Sequence, residues 1–220
     1  MYHSIIFGEK NTWDDWHLIP TSRPVFVPPA PKTFFVDIPG GNGAVDLTDS
    51  LLGEPVYSNR EGAFEFIVAN DYWPSWIDCY TEIMEYLHGK RMEAILEDEP
   101  EYSYIGRFSV SDWTSNTDGT WSNISIDYVV DPFKYKQEET KTYTVSQGTI
   151  KSIPIAVDKA PIVPTLRSTA EMEVKFGKET FVLPPNVDKT FHDIRLRKGA
   201  SNITVTGNGS ITIKYRNGVL

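Results

Sequence analysis

Residues 202–215 read NITVTGNGSITIKY, and the alternation in this stretch indicates the fold class. Apolar side chains occupy every second position on both sides of a Gly207-Asn208-Gly209 turn: Ile203, Val205, Ile211, Ile213 and Tyr215. Because successive side chains of a strand point to opposite faces, this period of two predicts strands with one buried face. The glycine-rich turn between the two strands predicts a β-hairpin.

The residues upstream of this segment continue the pattern. Short apolar runs recur at intervals of about ten residues, at positions 172–176, 181–183 and 191–196. Strands at this spacing are typical of a β-sandwich, and no segment after Gly89 has the periodicity of a helix. Residues 136–220 are therefore predicted to form a β-sandwich.

The N-terminal part of the chain also reads as short strands, interrupted by proline and glycine. We expect strands at residues 4–7, 25–27, 33–38, 63–69, 91–96, 102–110 and 120–130. The predicted fold class is mostly β, with two β-sandwich-like modules.

One segment of the N-terminal part has the periodicity of a helix, near residues 75–88. Its apolar positions are Trp76, Cys79, Tyr80, Ile83, Met84 and Leu87. Ser75 is the expected N-cap, and Gly89 is the expected stop. The first module is therefore predicted to carry one amphipathic α-helix, with its apolar face against a sheet.

Charge and tryptophan content divide the chain into two modules, 1–135 and 136–220. The first contains 8 Lys and Arg against 22 Asp and Glu, a net charge of −14, and the second contains 13 against 8, a net charge of +5. All six tryptophans lie within the first 121 residues. The polar stretch 136–140 is the expected linker between the modules.

Composition excludes several classes of protein. The net charge of −9 argues against a nucleic-acid-binding surface, which is usually basic. No run approaches the roughly 20 apolar residues of a membrane span, and the N-terminal residues lack the regions of a signal peptide. Cys79 is the only cysteine, so no internal disulfide forms. We expect a soluble protein that folds in a reducing cytoplasm and does not insert into membranes.

No constellation of residues indicates an enzyme. Asp14-Asp15-Trp16-His17 could supply an acid, a base or metal ligands, but no second histidine follows at ligand spacing, so a polar loop is favoured. Gly40-Gly41-Asn42-Gly43 lacks the context of a phosphate-binding loop. Cys79 lies on the apolar side of the helix, which favours packing over nucleophilic catalysis. The sequence predicts no catalytic residue, no cofactor and no metal.

Acidic residues in two turns are the candidates for an interface with another chain. Glu97, Asp98, Glu99 and Glu101 crowd carboxylates into one turn, and Asp118 lies in a second. The first turn lacks the residue order of a calcium-binding loop. A solvated hairpin tip is the simplest interpretation. A basic partner that offsets the repulsion between carboxylates is the functional alternative.

Motifs along the whole chain resemble those of the distal tail (Dit) proteins of long-tailed siphophages. Their order in the sequence carries the resemblance, because each motif alone is short. They are WDDWHLIP at 13–20, FVDIPGGNGAVDLT at 35–48, LHGKR at 87–91, YSYIGR at 102–107, DPFKY at 131–135, KGASNITV at 198–205 and ITIKYRNG at 211–218.

The resemblance implies a virion structural protein at the distal tail tip. In this family the N-terminal modules form a homohexameric ring, possibly stacked with a second, that joins the tail tube to the baseplate hub. The galectin-like C-terminal modules offer docking sites to receptor-binding proteins. DNA would pass through the lumen without specific binding, and a negative lumen would repel its phosphates.

The alternative function is a carbohydrate-binding adhesin that acts through the C-terminal sandwich. Sugar pockets commonly stack a pyranose ring on tryptophan, and residues 136–220 contain no tryptophan. The sequence His192-Asp193-Ile194-Arg195 is a poor match to the corresponding lectin signature. Both features favour recruitment of proteins over binding of sugars.

Overall fold

The computed structural model describes residues 3–50, 53–69, 72–73, 75–115, 121–199 and 201–220. The chain forms two compact units, residues 1–134 and 135–220. The expected linker at 136–140 is wrong in part, because Glu139 and Thr140 belong to a strand whose backbone hydrogen bonds are made to a neighbouring strand.

Unit 1, residues 1–134, is built from strands and one described helix. Its elements are β1 Ile5–Phe7, β2 Lys10–Asn11, β3 Leu18–Pro20, β4 Phe35–Asp37, β5 Ala44–Asp46, β6 Arg60–Ala69, α1 Trp76–Leu87, β7 Lys90–Leu96, β8 Tyr102–Ser115 and β9 Trp121–Val130. Seven of the strands form an antiparallel sheet in the order β2-β1-β7-β8-β9-β6-β3. The remaining two, β4 and β5, pair with each other.

The centre of this sheet follows the expected alternation. In β9 every second residue from Ser122 to Val130 is buried, and the intervening residues face outward. At Gly106 of β8 a side chain would overlap the backbone of Val129 and Val130, so only glycine permits the close approach of β8 to β9. The sheet thus presents one apolar face to the core of the unit.

Helix α1 packs on this core, although its first turn departs from the expectation. Cys79, Ile83 and Leu87 are buried, whereas Trp76, which also belongs to the predicted apolar face, is 43% exposed. Ser75 occupies the N-cap position, but its hydroxyl makes no capping hydrogen bond. Gly89 ends the helix as expected, with φ of +72°.

One predicted strand of unit 1 is absent, and three strands were missed. Residues 25–27 are not a strand, because the prolines on either side of them cannot donate ladder hydrogen bonds. Phe26 is nevertheless buried and stacks on Tyr104 at a centroid distance of 4.0 Å. The missed strands are β2, which pairs with β1; β3, which pairs with β6; and β5, which pairs with β4.

Unit 2, residues 135–220, is a two-layer sandwich. Short β10 Lys134–Lys136 begins at the boundary. The strands that follow are β11 Glu139–Val145, β12 Lys151–Pro154, β13 Thr165–Ser168, β14 Met172–Phe176, β15 Glu179–Leu183, β16 Lys189–Thr190, β17 Asn202–Gly207, β18 Gly209–Tyr215 and β19 Gly218–Val219. Two four-stranded sheets, β11-β18-β13-β16 and β12-β17-β14-β15, share one apolar core. The predicted mostly-β fold class, with a C-terminal sandwich, is confirmed.

The predicted hairpin at 202–215 is wrong in its pairing. Strand β17 pairs with β12 and β14 in one sheet, and β18 pairs with β11 and β13 in the other. The chain crosses between layers at Gly207 and Gly209, whose φ angles of +152° and +133° differ from those of a two-residue hairpin turn. The alternation correctly identified the buried side chains, because both strands face the same core.

The strand expected at 191–196 is also wrong. Ile194 and Leu196 are buried, but the hydrogen bond from Ile194 N to Phe191 O (3.0 Å) forms a turn. Only an isolated bridge, Ile162 to Leu196, remains of the expected pairing. Burial of apolar side chains here does not require a regular ladder.

Candidate assembly surfaces

Strands β4 and β5 form a two-stranded hairpin, which we call the arm (residues 34–47). The register places Val36 opposite Val45, and Leu47 N donates a hydrogen bond to Phe34 O at 2.9 Å. The turn is the Gly40-Gly43 loop, so the prediction of a loop here is confirmed. Within the described residues, neither strand pairs with a third.

The arm has one wholly apolar face. A period of two places Phe34, Val36, Ile38, Val45 and Leu47 on the same side. All five side chains are exposed, Phe34 to 61% and Ile38 to 53%. The opposite face carries the carboxylates of Asp37 and Asp46. A water-exposed face of this kind marks an interaction surface, because soluble proteins rarely expose contiguous apolar patches without a partner.

A second exposed apolar surface is the cleft between α1 and β8, which we call the aromatic cleft. It has a volume of about 350 Å³ and is lined by Trp76, Ile77, Tyr80, Val110, Ser111, Asp112, Trp113 and Ser115. The Trp76 and Trp113 rings lie 6.4 Å apart between centroids, and Tyr80 meets Trp113 edge to face at 5.3 Å. Trp76 and Ile77 remain over 40% exposed.

An irregularity in β8 explains how the aromatic cleft forms. A β-bulge between Val110 and Asp112 shifts the register of β8 against β9, which turns Trp113 under the helix. Its indole N–H is buried and has no hydrogen-bond partner. The helical spacing suggested that Trp76 packs inward, and no feature of the sequence indicated the bulge.

The acidic turn at 97–101 joins β7 to β8, as the prediction of a hairpin tip required. Three of its carboxylates have partners within unit 1. Glu97 accepts hydrogen bonds from Ser4 N and Ser4 Oγ, Arg23 Nε donates to Asp98 at 2.7 Å, and Lys134 Nζ donates to Glu99 at 2.9 Å.

These partners also set the acidity of the turn. The Arg23 hydrogen bond, with a further contribution from His3, lowers the pKa of Asp98, and the Lys134 hydrogen bond lowers the pKa of Glu99. Glu101 is exposed. Asp118, the remaining interface candidate, lies outside the described residues. An interface at these carboxylates stays a prediction, and the internal partners already offset much of their mutual repulsion.

The tetrapeptide Asp14-Asp15-Trp16-His17 forms a turn. Asp15 accepts a hydrogen bond from Asn11 N at 2.7 Å and pairs with Lys10, while Trp16 is fully buried and donates to Glu82. His17 packs on Tyr72 at 4.2 Å. No group of ligating side chains among the described residues could hold a metal ion. The turn and the burial of Trp16 match the interpretation as a polar loop with a packed tryptophan.

Cys79 packs in the core of unit 1. Burial, with a smaller effect of Glu82, raises the pKa of its thiol to about 12, so the reactive thiolate is scarce near neutral pH. The alternative of a nucleophilic cysteine is not supported by this environment.

The outward face of the unit 1 sheet carries a group of carboxylates. Asp127 of β9 lies opposite Ala63 of β6. Glu61 and Glu65 flank Ala63 on β6 and share the outward face of the sheet with Asp127. All three acidic side chains are exposed. Neighbouring and diagonal positions on one face of a sheet lie within about 8 Å, so these like charges create a negative field over this part of the surface.

In unit 2, the segment 192–195, a poor match to the lectin signature, lies beside two phenylalanine rings that pack on each other. His192, Asp193 and Arg195 are exposed and Ile194 is buried, and the nearby Phe181 and Phe191 rings pack on each other at 4.9 Å.

Among the described residues, no helix is long and apolar enough to cross a membrane.

A full-length structural match was found among known proteins. No family model matches the chain, and no curated protein matches its sequence. The solved structure of Dit (gp 19.1) from phage SPP1 is similar over 100% of both chains, with a TM-score of 0.60 and 19% sequence identity. That protein is described as a paradigm of the hub adsorption apparatus of phages that infect Gram-positive bacteria. The chain therefore shares the fold of a siphophage distal tail protein from end to end, and the resemblance noted in the sequence is confirmed at the level of the fold.

Proposed function

We propose that this chain is a structural hub protein of a siphophage tail, which forms a homohexameric ring at the distal end of the tail. The full-length likeness to SPP1 Dit carries the proposal, because it extends over both units of the chain. The proposed location is the virion tail tip, after synthesis in the host cytoplasm. The proposal includes no catalytic step and no cofactor.

Self-association is supported by the apolar face of the arm. A closed ring needs two different, complementary patches on each subunit. The arm supplies a patch whose apolar side chains are exposed among the described residues. An interface core enriched in aromatic and aliphatic residues is typical of obligate assemblies.

Passage of DNA through the ring is supported by charge. The module 1–135 has a net charge of −14, and Glu61, Glu65 and Asp127 are grouped on one exposed sheet face. A lumen lined by such a face repels phosphate groups, so DNA moves through without adhering.

Unit 2 is proposed to recruit other tail proteins, namely the tail tube protein, a baseplate hub protein and a receptor-binding protein. Its net charge is opposite to that of unit 1, which favours acidic partners. Each of its two sheets ends in strands with one unpaired edge, among them β15, where Val182 is exposed. Such edges accept a strand from a partner.

Native mass spectrometry of the purified full-length chain tests the ring. Six copies of a 24.9 kDa chain give a species of about 150 kDa, or twice that mass for two stacked rings. Negative-stain electron microscopy should show closed rings. A chain that stays monomeric at micromolar concentration in both measurements would contradict the proposal.

A further inference from the structure

We infer that the apolar face of the arm of one copy seats in the aromatic cleft of the next copy around the ring. The inference rests on the proposed self-assembly and identifies the two surfaces that meet. It concerns Val36 and its neighbours on the arm, and Trp76, Ile77 and Trp113 in the cleft.

None of the described residues of the same chain covers the apolar face of the arm. All five side chains of its apolar face are exposed, so they do not fill the cleft of the same copy. An isolated two-stranded hairpin is at best marginally stable in water, and packing against another element supplies the missing stability. The aromatic cleft of a second copy can face the arm in an orientation that the cleft of the same copy does not adopt.

The two surfaces are complementary in shape and polarity. The arm is a narrow, protruding element with a row of branched and aromatic side chains, and the cleft is a concavity with aromatic walls. Exposed tryptophans in a concave site are typical anchors of protein interfaces. Burial of Trp76 and Ile77 by Val36 and Ile38 would remove apolar surface from water on both sides.

Charge fixes which face of the arm turns inward. Asp112 lies at the border of the cleft, and Asp37 and Asp46 lie on the other face of the arm. Placing that face against Asp112 would bring like charges together in a partly desolvated site, which is unfavourable. The apolar face therefore packs into the cleft, and the carboxylates of the arm point to solvent.

Disulfide trapping tests this contact on the full chain. The double variant Val36→Cys with Ile77→Cys should give, on mild oxidation, a reducible ladder of cross-linked species that ends at the hexamer. Cys79 does not interfere, because its thiol is buried with a raised pKa. Mixing the two single variants should give a cross-linked dimer and no larger species, since each copy then carries only one of the two introduced cysteines.

The matched control is Phe35→Cys with Ile77→Cys. Phe35 lies on the same hairpin as Val36 but on the opposite face, so its Cβ points away from the cleft. We expect its cross-linking to be slower by about tenfold or more, because disulfides form only when the Cβ atoms approach within about 4.5 Å.

A charge swap provides a second readout that does not depend on oxidation. Ile77→Glu should raise the dissociation constant of the ring by about 100-fold, since it places a charge in a hot-spot position. Ile150→Glu, at an exposed isoleucine of unit 2, should leave assembly unchanged. Adding Val36→Lys to Ile77→Glu should restore assembly through a new ion pair between neighbouring copies. Such a rescue would exclude misfolding as the reason why Ile77→Glu fails to assemble.

The outcomes separate this inference from the proposed function. A native hexamer that gives no ladder for the 36–77 pair and tolerates Ile77→Glu overturns the arm-to-cleft contact and leaves the ring intact. A different tail protein found bound in the cleft of assembled rings would overturn it as well. A chain that never assembles contradicts both proposals.

Discussion

The arm and the segment 202–215 share one local pattern, a turn of glycine and asparagine between two alternating strands, and the fold uses them in opposite ways. In the arm, β4 and β5 pair with each other, and their apolar face is exposed. In 202–215, β17 and β18 belong to different sheets, and their apolar residues are buried in a common core. Alternation therefore reports that a strand has an apolar face, and does not report which strand or surface covers it.

The glycine geometry follows this difference. Gly40 and Gly43 of the arm have φ of +81° and +78°, in the left-handed region used by tight reversals. Gly207 and Gly209 are more extended, and a Cβ at Gly207 would lie 2.7 Å from Met172 Cγ. The first turn reverses the chain within one layer, and the second carries it from one layer to the other.

Hydrogen exchange should show the largest contrast between the two segments. In the dissociated chain, the amide of Ile213 should exchange at least about 1,000-fold more slowly than that of Val45, after correction for intrinsic rates. Ile213 lies in β18, a strand with neighbours on both sides, whereas Val45 belongs to an isolated pair. Equal protection of both amides in monomeric protein would refute the contrast, and assembly should protect Val45 selectively.

Truncation of matched isoleucines should separate the segments by stability. Ile213→Ala removes atoms from a site that is 1% exposed and should lower the free energy of unfolding of unit 2 by about 2–5 kcal/mol. Ile38→Ala, at an exposed position of the arm, should change the stability of unit 1 by less than about 0.5 kcal/mol. Urea unfolding followed by circular dichroism measures both free energies of unfolding. Similar losses for the two variants would contradict the difference between the buried segment and the exposed arm.

Alanine at the two turns should give a smaller difference. Gly207→Ala combines an unfavourable φ with a clash against buried Met172 and should cost about 1–3 kcal/mol of unfolding free energy. Gly43→Ala meets no atom within 4 Å, and its unfavourable φ of +78° lies in the arm, whose strands pair only with each other among the described residues. Its effect on global unfolding should stay within about 0.5 kcal/mol, and a larger loss would show that the arm is part of the cooperative unit.

The smallest expected effect is a pH dependence. Hydrogen bonds from Lys141 and Tyr215 lower the pKa of Glu139 in unit 2. A depressed carboxyl pKa contributes stability above the ordinary value of 4.5, and this contribution is lost as the pH falls through and below that value. Glu139→Gln should therefore flatten the acid limb of the stability curve of unit 2.

The matched control for this titration is Asp46→Asn in the arm. Hydrogen bonds from Thr48 lower the pKa of Asp46 as well, but the arm is not part of the core that unfolds cooperatively. The acid limb of this variant should follow that of the unmodified chain. A change equal to that of Glu139→Gln would show that the arm and the core unfold together.

Burial was the part of the fold that the sequence revealed best. The period of two identified Ile203, Val205, Ile211 and Ile213 as core residues, and the helical period located α1, because side-chain direction is set locally. Pairing depends on contacts between distant residues, so the crossing of 202–215 between sheets was missed. A strand was expected at 25–27 because of its short apolar run, but the flanking prolines, which cannot donate backbone hydrogen bonds, exclude it.

The candidate surfaces were less accessible to sequence reasoning. Trp76 satisfies the helical pattern, yet its position at the first turn leaves it beyond the edge of the core. The bulge before Asp112 has no signature in the residues themselves, and it decides where Trp113 points. The density of charge in the acidic turn at 97–101 suggested a basic partner from another chain. Arg23 and Lys134, which offset part of that charge, come from distant parts of the same sequence.

The isolation of the arm has a consequence for how this protein diverges. Among the described residues the strands of the arm pair only with each other, so substitutions in its exposed apolar face should affect folding less than they affect the surface that the arm contacts. Under the proposed arm-to-cleft contact, the arm and its receiving surface can change together while the sheets stay constant. Two related proteins made in one cell would then sort into separate assemblies by their arms, a stretch of fourteen residues, 34–47.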